Sequence, residues 1–314
     1  HIVTQERYDQ LAVPEPFRAW VTRSWRRREP ALYGRLDLCY DGQRPPKLLE
    51  YNADTPTSLL ETAVAQWFWL EEARPGADQF NALHECLIER WQTLRRGPEP
   101  LPLQLHFAGI GESEEDFGTL EYLRDTAIQG GFTTYCLGIE QIGWNGRRFV
   151  DLEGRPIQAL FKLYPWEWLV REAFGPLLLD DTLRAVEPPW KMLLSNKGLL
   201  AILWELFPGH PYLLPAAFEP TGVGDHYVKK PLLSREGANI EIYRPGQVLK
   251  TPGDYGAEGW VYQAYSPLPC FDGRNHVVVG SWVVGDRPAG IGLREDDSPI
   301  TRDTSRFVPH YFDP

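Results

Sequence analysis

The sequence predicts an α/β fold with two or more lobes around a cleft, and three observations carry that reading. The first is size and content: 314 residues, 43% of them hydrophobic, make a chain long enough to bury a large core. The second is the alternation of helix-like and strand-like patterns between residues 79 and 139, the order expected of open α/β sheets. The third is a pair of short strand-like stretches near the start whose polar residues fall on one face.

In chain order, residues 13–29 read as a helix ending near Pro30. Arg35-Leu36-Asp37-Leu38 and Leu49-Glu50-Tyr51-Asn52 then read as the strands of a hairpin, with Asp41-Gly42 opening the turn. Side chains alternate between the faces of a strand, so Arg35, Asp37, Glu50 and Asn52 share one face, while Leu36, Leu38, Leu49 and Tyr51 share the other. Pairing Asp37 with Glu50 sets Arg35 opposite Asn52 and gathers two carboxylates, an amide and a guanidinium. Hard oxygen donors of this kind suit Mg²⁺, and Arg suits a phosphate or carboxylate. A solvated sheet face accounts for the same pattern, so the segment that follows has to decide. There Asp54 or Thr55 can cap a helix over residues 56–72, with Pro56 in its first turn. The free N–H groups of that helix start would open beside the polar face and favour an anion.

Residues 79–96, with Phe80, Leu83, Leu87, Trp91 and Leu94 at helical spacing, read as an amphipathic helix with a core-facing stripe. Residues 101–107 read as a buried strand, 109–115 as the loop after it, 117–129 as a helix and 133–139 as a strand. Loops after strand ends commonly carry ligand contacts in open sheets, which makes Glu112, Glu114 and Glu115 candidates to receive a cationic substrate group. A wet acidic loop is the competing account. From Leu160 to Trp168 the pattern passes from strand to an aromatic-rich helix, where the Trp residues read as core and Lys162 and Glu167 as candidates to face a cleft.

A formal net charge of −11 argues against duplex nucleic acid as the main partner, and the short run Arg23-Ser24-Trp25-Arg26-Arg27-Arg28 does not reverse it. Cys39, Cys86, Cys136 and Cys270 lie far apart with no C-x-x-C pair, so neither a zinc site nor a disulfide framework is expected, and a reducing, cytoplasmic setting fits. No apolar run approaches the roughly 18 residues of a membrane span, and the first residues carry no signal-peptide core. No membrane partner is expected.

In the second half, Ser195-Asn196-Lys197 opens a helix over residues 198–206, closed by Pro208-Gly209-His210-Pro211. A lysine at a helix start is electrostatically misplaced, and a bound phosphate would correct the imbalance; a surface lysine turned to water is the plainer account. Residues 227–231 read as a strand carrying Lys230, Ser234-Arg235-Glu236-Gly237-Ala238-Asn239 as a flexible loop, and residues 240–243 as the returning strand. A Walker phosphate loop feeds a helix and carries its lysine at the end, whereas here the loop joins two strands and the lysine precedes it. Such a loop can act as a lid that donates backbone N–H groups to phosphates, with Lys230 beneath; an ordinary hairpin with a glycine turn is the alternative. The strand over residues 260–265, which holds Gln263 and Tyr265, offers backbone groups to an adenine edge. A further hairpin spans residues 276–293, and Arg294 at its end is a candidate γ-phosphate ligand or a partner in a surface ion pair.

These residues resemble a known family. Lys230-Pro231 followed by Ser234-Arg235-Glu236-Gly237 resembles the lysine and glycine-rich loop of ATP-grasp ligases, and Ser195-Asn196-Lys197 resembles their upstream lysine. Together with Arg35-x-Asp37, the run from Leu48 to Asp54, and Gly290-Ile291-Gly292-Leu293-Arg294-Glu295, they resemble the synthetase domain of glutathionylspermidine synthase and its shorter bacterial acid–amine ligase relatives. The resemblance covers residue 20 to the end of the chain. It implies a permuted ATP-grasp fold in which the metal-binding E-x-N element comes early, with an α/β substrate region over residues 1–185 and a nucleotide-binding region over 186–314.

By the same resemblance Asp37, Glu50 and Asn52 are Mg²⁺ ligands. Arg35 and Arg294 stabilise the transferring phosphoryl group. ATP is held by Lys197 and Lys230, by the lid residues Ser234, Glu236, Gly237 and Ala238, and by Gln263 and Tyr265. Thr55 stands near a substrate carboxylate, and Glu114 or Glu115 near the amine. The implied activity is an ATP- and Mg²⁺-dependent carboxylate–amine ligase working through an acyl phosphate on a glutathione-like acid and a polyamine-like amine. A non-catalytic ATP-binding scaffold or a small-molecule kinase are the alternatives. Nothing in the sequence corresponds to the cysteine amidase domain of the bifunctional enzymes, so product hydrolysis is not expected.

Overall fold

The computed structural model describes residues 1–313. Helix α1 (Glu15–Arg26) follows Pro14, carries Pro16 in its first turn and buries Phe17, Trp20 and Val21. Strands β1 (Tyr33–Cys39) and β2 (Lys47–Asn52) form the expected hairpin in the expected register, Arg35 opposite Asn52 and Asp37 opposite Glu50, with a bulge after Asp37. The chain next becomes helical at Leu59, three residues later than expected, and runs through a π-helical turn (Glu61–Ala65) into α2 (Gln66–Ala73). Neither Asp54 nor Thr55 caps it. The Asp54 carboxylate accepts from Lys162 Nζ and, at 2.8 Å, from the Trp166 backbone N–H, while Thr55 Oγ1 accepts from Arg235 at 2.8 Å. A left-handed backbone at Ser58 (φ +66°) re-aims the chain before the helix begins.

Helix α3 (Leu83–Arg96) buries Leu83, Leu87, Trp91 and Leu94. Phe80, expected on that stripe, lies outside the helix and is exposed. Strand β3 (Gln104–Gly109), helix α4 (Glu114–Gln129) and strand β4 (Thr133–Gly138) follow, so Glu114 and Glu115 sit in the first turn of α4 rather than in a loop. Ser113 caps this helix by accepting from the Asp116 N–H, and acidic side chains are favoured at such a start. A two-strand ribbon, β5 (Gly143–Trp144) and β6 (Phe149–Val150), leads to β7 (Ala159–Leu163), the short α5 (Trp166–Leu169) and β8 (Arg184–Val186). Strands β4-β3-β7-β8 make one parallel sheet.

After α6 (Leu199–Leu206) come β9 (Ala216–Ala217), β10 (Tyr227–Pro231), β11 (Glu241–Arg244), β12 (Gln247–Lys250) and β13 (Trp260–Ala264). These form an antiparallel sheet ordered β12-β11-β10-β13-β9. The last strands, β14 (Cys270–Phe271), β15 (Asn275–Val284), β16 (Arg287–Asp296) and β17 (Arg306–Val308), join the opening hairpin in a third sheet ordered β17-β16-β15-β1-β2, with β14 on β15. Strand β1 is therefore paired on both edges, by its neighbour β2 and by β15 from the end of the chain. Among the described residues no helix is long and apolar enough to cross a membrane.

The main core lies where β1 and β15 meet the parallel sheet. Tyr33 stacks on Trp282 with centroids 5.8 Å apart and planes 8° apart, and Phe107, Phe161 and Trp91 extend the aromatic packing. Two buried ion pairs tie the hairpin to this region. Lys162 and Asp54 pair with no exposed side-chain surface on either. Lys191 lies 3.1 Å from Glu187 and donates to the carbonyls of Tyr33 and Ala53, while Glu187 accepts from the Leu32 and Tyr33 N–H groups. Truncating one member of such a pair leaves a buried charge without compensation. Asp54→Ala is expected to destabilise the fold by about 3–5 kcal/mol in denaturant unfolding, and Asp54→Leu with Lys162→Met to recover most of that loss.

Candidate active site

The polar face of the hairpin floors a cavity of about 340 Å³ whose walls come from both ends of the chain. Arg35 and Asp37 are almost fully buried and form a two-point pair, Nε to Oδ1 at 2.6 Å and Nη2 to Oδ2 at 3.0 Å. Arg294, on β16, donates to the same Asp37 Oδ2 at 2.8 Å. Arg35 can lie flat because β15 presents Gly280 beneath it, where a Cβ would come within 2.8 Å of Arg35 Cδ. Asn52 Nδ2 bridges Asp37 and Glu50 at 3.2 Å each, and Glu50 pairs with Lys197 at 2.9 Å. Lys230, on β10, donates to the Leu49 carbonyl and to Gln263 Oε1, both at 2.8 Å. At the hairpin face four cations, Arg35, Arg294, Lys197 and Lys230, stand against two carboxylates, a local excess that suits a polyphosphate, while Arg235, Arg302 and the acids Glu61, Glu115, Glu236 and Asp303 line the rest of the cavity.

Burial pushes the Glu50 carboxyl up, but the charges of Lys197 and Lys230 and the hydrogen bonds from Lys197 and Asn52 hold it well below the usual carboxylate range. Burial pulls the Lys230 ammonium down to about 8 despite Glu50, and the charge of Lys197 acts in the same direction. Arg294 is lowered from its ordinary value by burial and then by Arg35. Glu115 is raised by burial and by the charges of Glu61, Asp116, Glu236 and Asp303.

Val228, Ile242, Leu268 and Val278 add apolar lining to the cavity, with Tyr265, whose ring stacks under Arg244 at 4.3 Å. Over the cavity runs the loop of residues 232–240. Lys197 Nζ donates to the Ser234 carbonyl at 2.6 Å, and Ser234 Oγ is buried with no hydrogen-bond partner. Gly237 holds φ +71°, and a Cβ there would come within 2.4 Å of the Thr301 carbonyl, so no side chain fits the turn that lays the loop down.

Most of the residues expected to form the site converge on this cavity: Arg35, Asp37, Glu50, Asn52, Thr55, Glu115, Lys197, Lys230, Ser234, Glu236, Gly237, Gln263, Tyr265 and Arg294 all line it. Five stand apart. Ala238 lines an adjoining chamber of about 480 Å³ on the far side of the loop, and Glu112, Glu114, Lys162 and Glu167 line neither chamber. Gln263 is committed within the protein, since its oxygen accepts from Lys230 and its nitrogen donates to the Leu48 carbonyl at 2.9 Å. Lys197 lies just before α6 rather than in its first turn, and its ammonium reaches Glu50 and the lid instead. Glu61, Arg235 and Asp303 also line the cavity and received no role from the sequence. Arg235 stood inside the motif that marks the loop; Glu61 and Asp303 had no local signal.

Among the described residues no group of three or more His, Cys, Asp and Glu side chains is arranged to hold a metal ion. The oxygen donors that do converge are Asp37, Glu50 and Asn52, with the Asn52 oxygen available after a half-turn of its amide. That set fits Mg²⁺, which takes hard oxygens, needs only one or two carboxylates and shares phosphate oxygens for the rest.

The family of glutathionylspermidine synthase, in its preATP-grasp description, matches residues 1–313. This chain belongs to that family. A protein of Haemophilus influenzae named as a candidate acid–amine ligase is 46% identical over 98% of this chain and 81% of its own length. The bifunctional glutathionylspermidine synthetase/amidase of Escherichia coli is 31% identical over 91% of this chain and 50% of its own length, so the synthase-family chain spans about half of that relative. Trypanothione synthetase of Crithidia fasciculata is 28% identical over 96% of this chain. Among solved structures, a candidate γ-glutamylcysteine synthetase of Methylobacillus flagellatus aligns over 99% of this chain and 87% of its own at TM-score 0.55 and 9% identity. A glutathione synthetase-like effector of Globodera pallida does so over 99% and 85% at TM-score 0.56 and 11% identity. The synthase-family fold is thus an α/β, ATP-grasp-type fold, with the polar hairpin ahead of the 232–240 loop in the chain.

Lys230 loses its charge as pH rises through about 8 and removes one of the four cations. Affinity for a polyphosphate is expected to be level near neutrality and to fall by up to about tenfold per unit above that value. Titration calorimetry with ATP as the polyphosphate probe reads this, and an affinity unchanged well into the alkaline range contradicts it.

Proposed function

We propose that this chain is an ATP-dependent carboxylate–amine ligase, joining a small glutathione-like acid to a polyamine-like amine through an acyl phosphate. The observation that carries the reading is that four cations and the hairpin carboxylates meet under one lid, in a cavity that early and late segments both line. In this scheme residues 1–185 contribute the hairpin and the substrate region, and residues 186–314 the nucleotide clamp. Lys197 and Lys230 neutralise the phosphates of ATP, and the apolar lining beside Tyr265 takes its base. A carboxylate oxygen of the acid attacks the γ-phosphorus, the bond to the bridging oxygen breaks, and ADP leaves. Arg35 and Arg294 counter the charge that spreads over the transferring group, since phosphoryl transfer asks mainly for position and neutralisation. When bound at Asp37, Glu50 and Asn52, Mg²⁺ supplies further charge neutralisation and orientation of the phosphates.

The amine then adds to the acyl carbon, the carbon–oxygen bond to phosphate breaks, and an amide and inorganic phosphate result. The amine must give up a proton, and Glu115, raised toward neutrality by burial and nearby acids, is suited to take it. Thr55, whose hydroxyl accepts from the lid's Arg235, stands beside the carboxylate of the acid in this scheme. The lid residues Ser234, Glu236 and Gly237 keep water from the acyl phosphate, which otherwise hydrolyses.

ADP release from the purified protein should require an acid and an amine together and should accompany a product of amide mass. ADP formed with one substrate alone, as a phosphorylated product, identifies a kinase, and tight ATP binding with no turnover identifies a scaffold. Arg294→Ala is expected to lower kcat by about 10³-fold, the scale found when an arginine that stabilises phosphoryl transfer is removed, with little change in fold. Glu50→Ala should abolish ADP formation, and wild-type turnover in that variant excludes the metal role of the hairpin.

A further inference from the structure

Among the described residues Arg235 is the one lid side chain that hydrogen-bonds to residues 1–185. The remaining hydrogen bonds of residues 232–240 stay within the loop or go to Lys197 or to neighbours within residues 251–259, for example Asn239 N–H to the Pro252 carbonyl and Ile240 N–H to Thr251 Oγ1. Arg235 instead donates from Nε and Nη2 to Glu167 Oε1, at 2.8 and 2.7 Å, and from Nη1 to Thr55 Oγ1 at 2.8 Å. Its two acceptors share a foundation. Asp54 accepts from the Trp166 N–H and pairs with Lys162, so Thr55 and Glu167 each follow directly on a residue of that buried junction. Glu167 is itself largely buried, its side chain 10% exposed, and among the described residues Arg235 is its only hydrogen-bond partner.

From this geometry we infer that Glu167 is a positioning residue: it acts through Arg235 to hold the lid down over the nucleotide cavity. Moving the lid away would strand a buried carboxylate and expose an arginine without its partner, so the pair biases the loop toward the lowered arrangement. A lowered lid is what a reactive acyl phosphate needs, because lids of this kind exclude water and complete the site. The inference deepens the ligase reading in its consequence for catalysis, but the latch itself can be read without turnover.

The test uses Glu167→Gln, Arg235→Gln and the double variant in the full chain. In Glu167→Gln, amide hydrogen exchange over residues 232–240 should quicken by about tenfold while the parallel sheet stays protected, and the Kd for ATP alone should rise several-fold. The double variant should be no worse than Arg235→Gln, because Glu167 has no second route to the site. With substrates present, the loss should fall on KM for ATP and on ADP released without amide product rather than on kcat alone. Thr55→Val, which keeps the side-chain volume and removes only the smaller of the two anchors, should quicken lid exchange to a lesser degree and serves if Glu167→Gln does not fold. Lid exchange and ATP affinity at wild-type values in Glu167→Gln, or effects that add in the double variant, overturn the latch. Failure of every acid and amine pair to yield an amide, with lid exchange still responding, overturns the ligase reading and leaves the latch standing.

Discussion

Asp37 accepts hydrogen bonds from two guanidinium groups, Arg35 beside it on β1 and Arg294 from β16, and the site is arranged around that three-way contact. A buried carboxylate with one arginine is a neutral pair; with two it leaves a positive charge facing the cavity. The sheet makes the contact obligatory. Strand β1 lies between β2 and β15, and β16 lies beyond β15, so the register that sets Asp37 opposite Gly280 leaves space for Arg35 and brings Arg294 within reach. Glu50, Asn52, Lys197 and Lys230 extend the same alternation of sign outward toward the lid.

The charges at this site are kept from collapsing on one another by supports within the protein. Gln263 holds Lys230 from below while bonding the backbone of β2, and the Asp54–Lys162 and Glu187–Lys191 pairs pin the ends of the hairpin to the parallel sheet. Such buried pairs contribute little net stability compared with an apolar replacement. Their effect here is geometric, since each joins a strand end to an element more than a hundred residues away. The polar face of the hairpin is thereby held at a fixed depth under the lid.

Much of this could be read from the amino acids, and the reason is periodicity. Alternation on two adjacent short strands put Arg35, Asp37, Glu50 and Asn52 on one face, and the register considered for them, Asp37 opposite Glu50, is the one the hairpin adopts. The lysines and the lid carried spacing and motif signals of the same local kind. The misreadings occurred where a distant residue outbid a local preference. Asp54 has the chemistry of a helix cap, yet a buried lysine 108 positions later takes it, and the helix starts beyond Ser58. Glu114 and Glu115 look like loop acids but satisfy the start of α4, with only Glu115 turned toward the cavity. Glu61 and Asp303 come together with Glu115 only through the tertiary fold, which no spacing along the chain records.

The insertion of β1 between its sequence neighbour and a strand from the end of the chain bears on how the protein is made. While the ribosome is still adding residues before Asn275, the hairpin has one naked edge and Asp37 has a single arginine, so a nascent molecule holds part of the polar floor without its final arrangement. Closing a loop of that length is slow relative to local helix formation, which makes docking of β15 a late event and concentrates competence in the finished polypeptide. A molecule that broke off early would lack that three-way contact, whatever the quality of its N-terminal half.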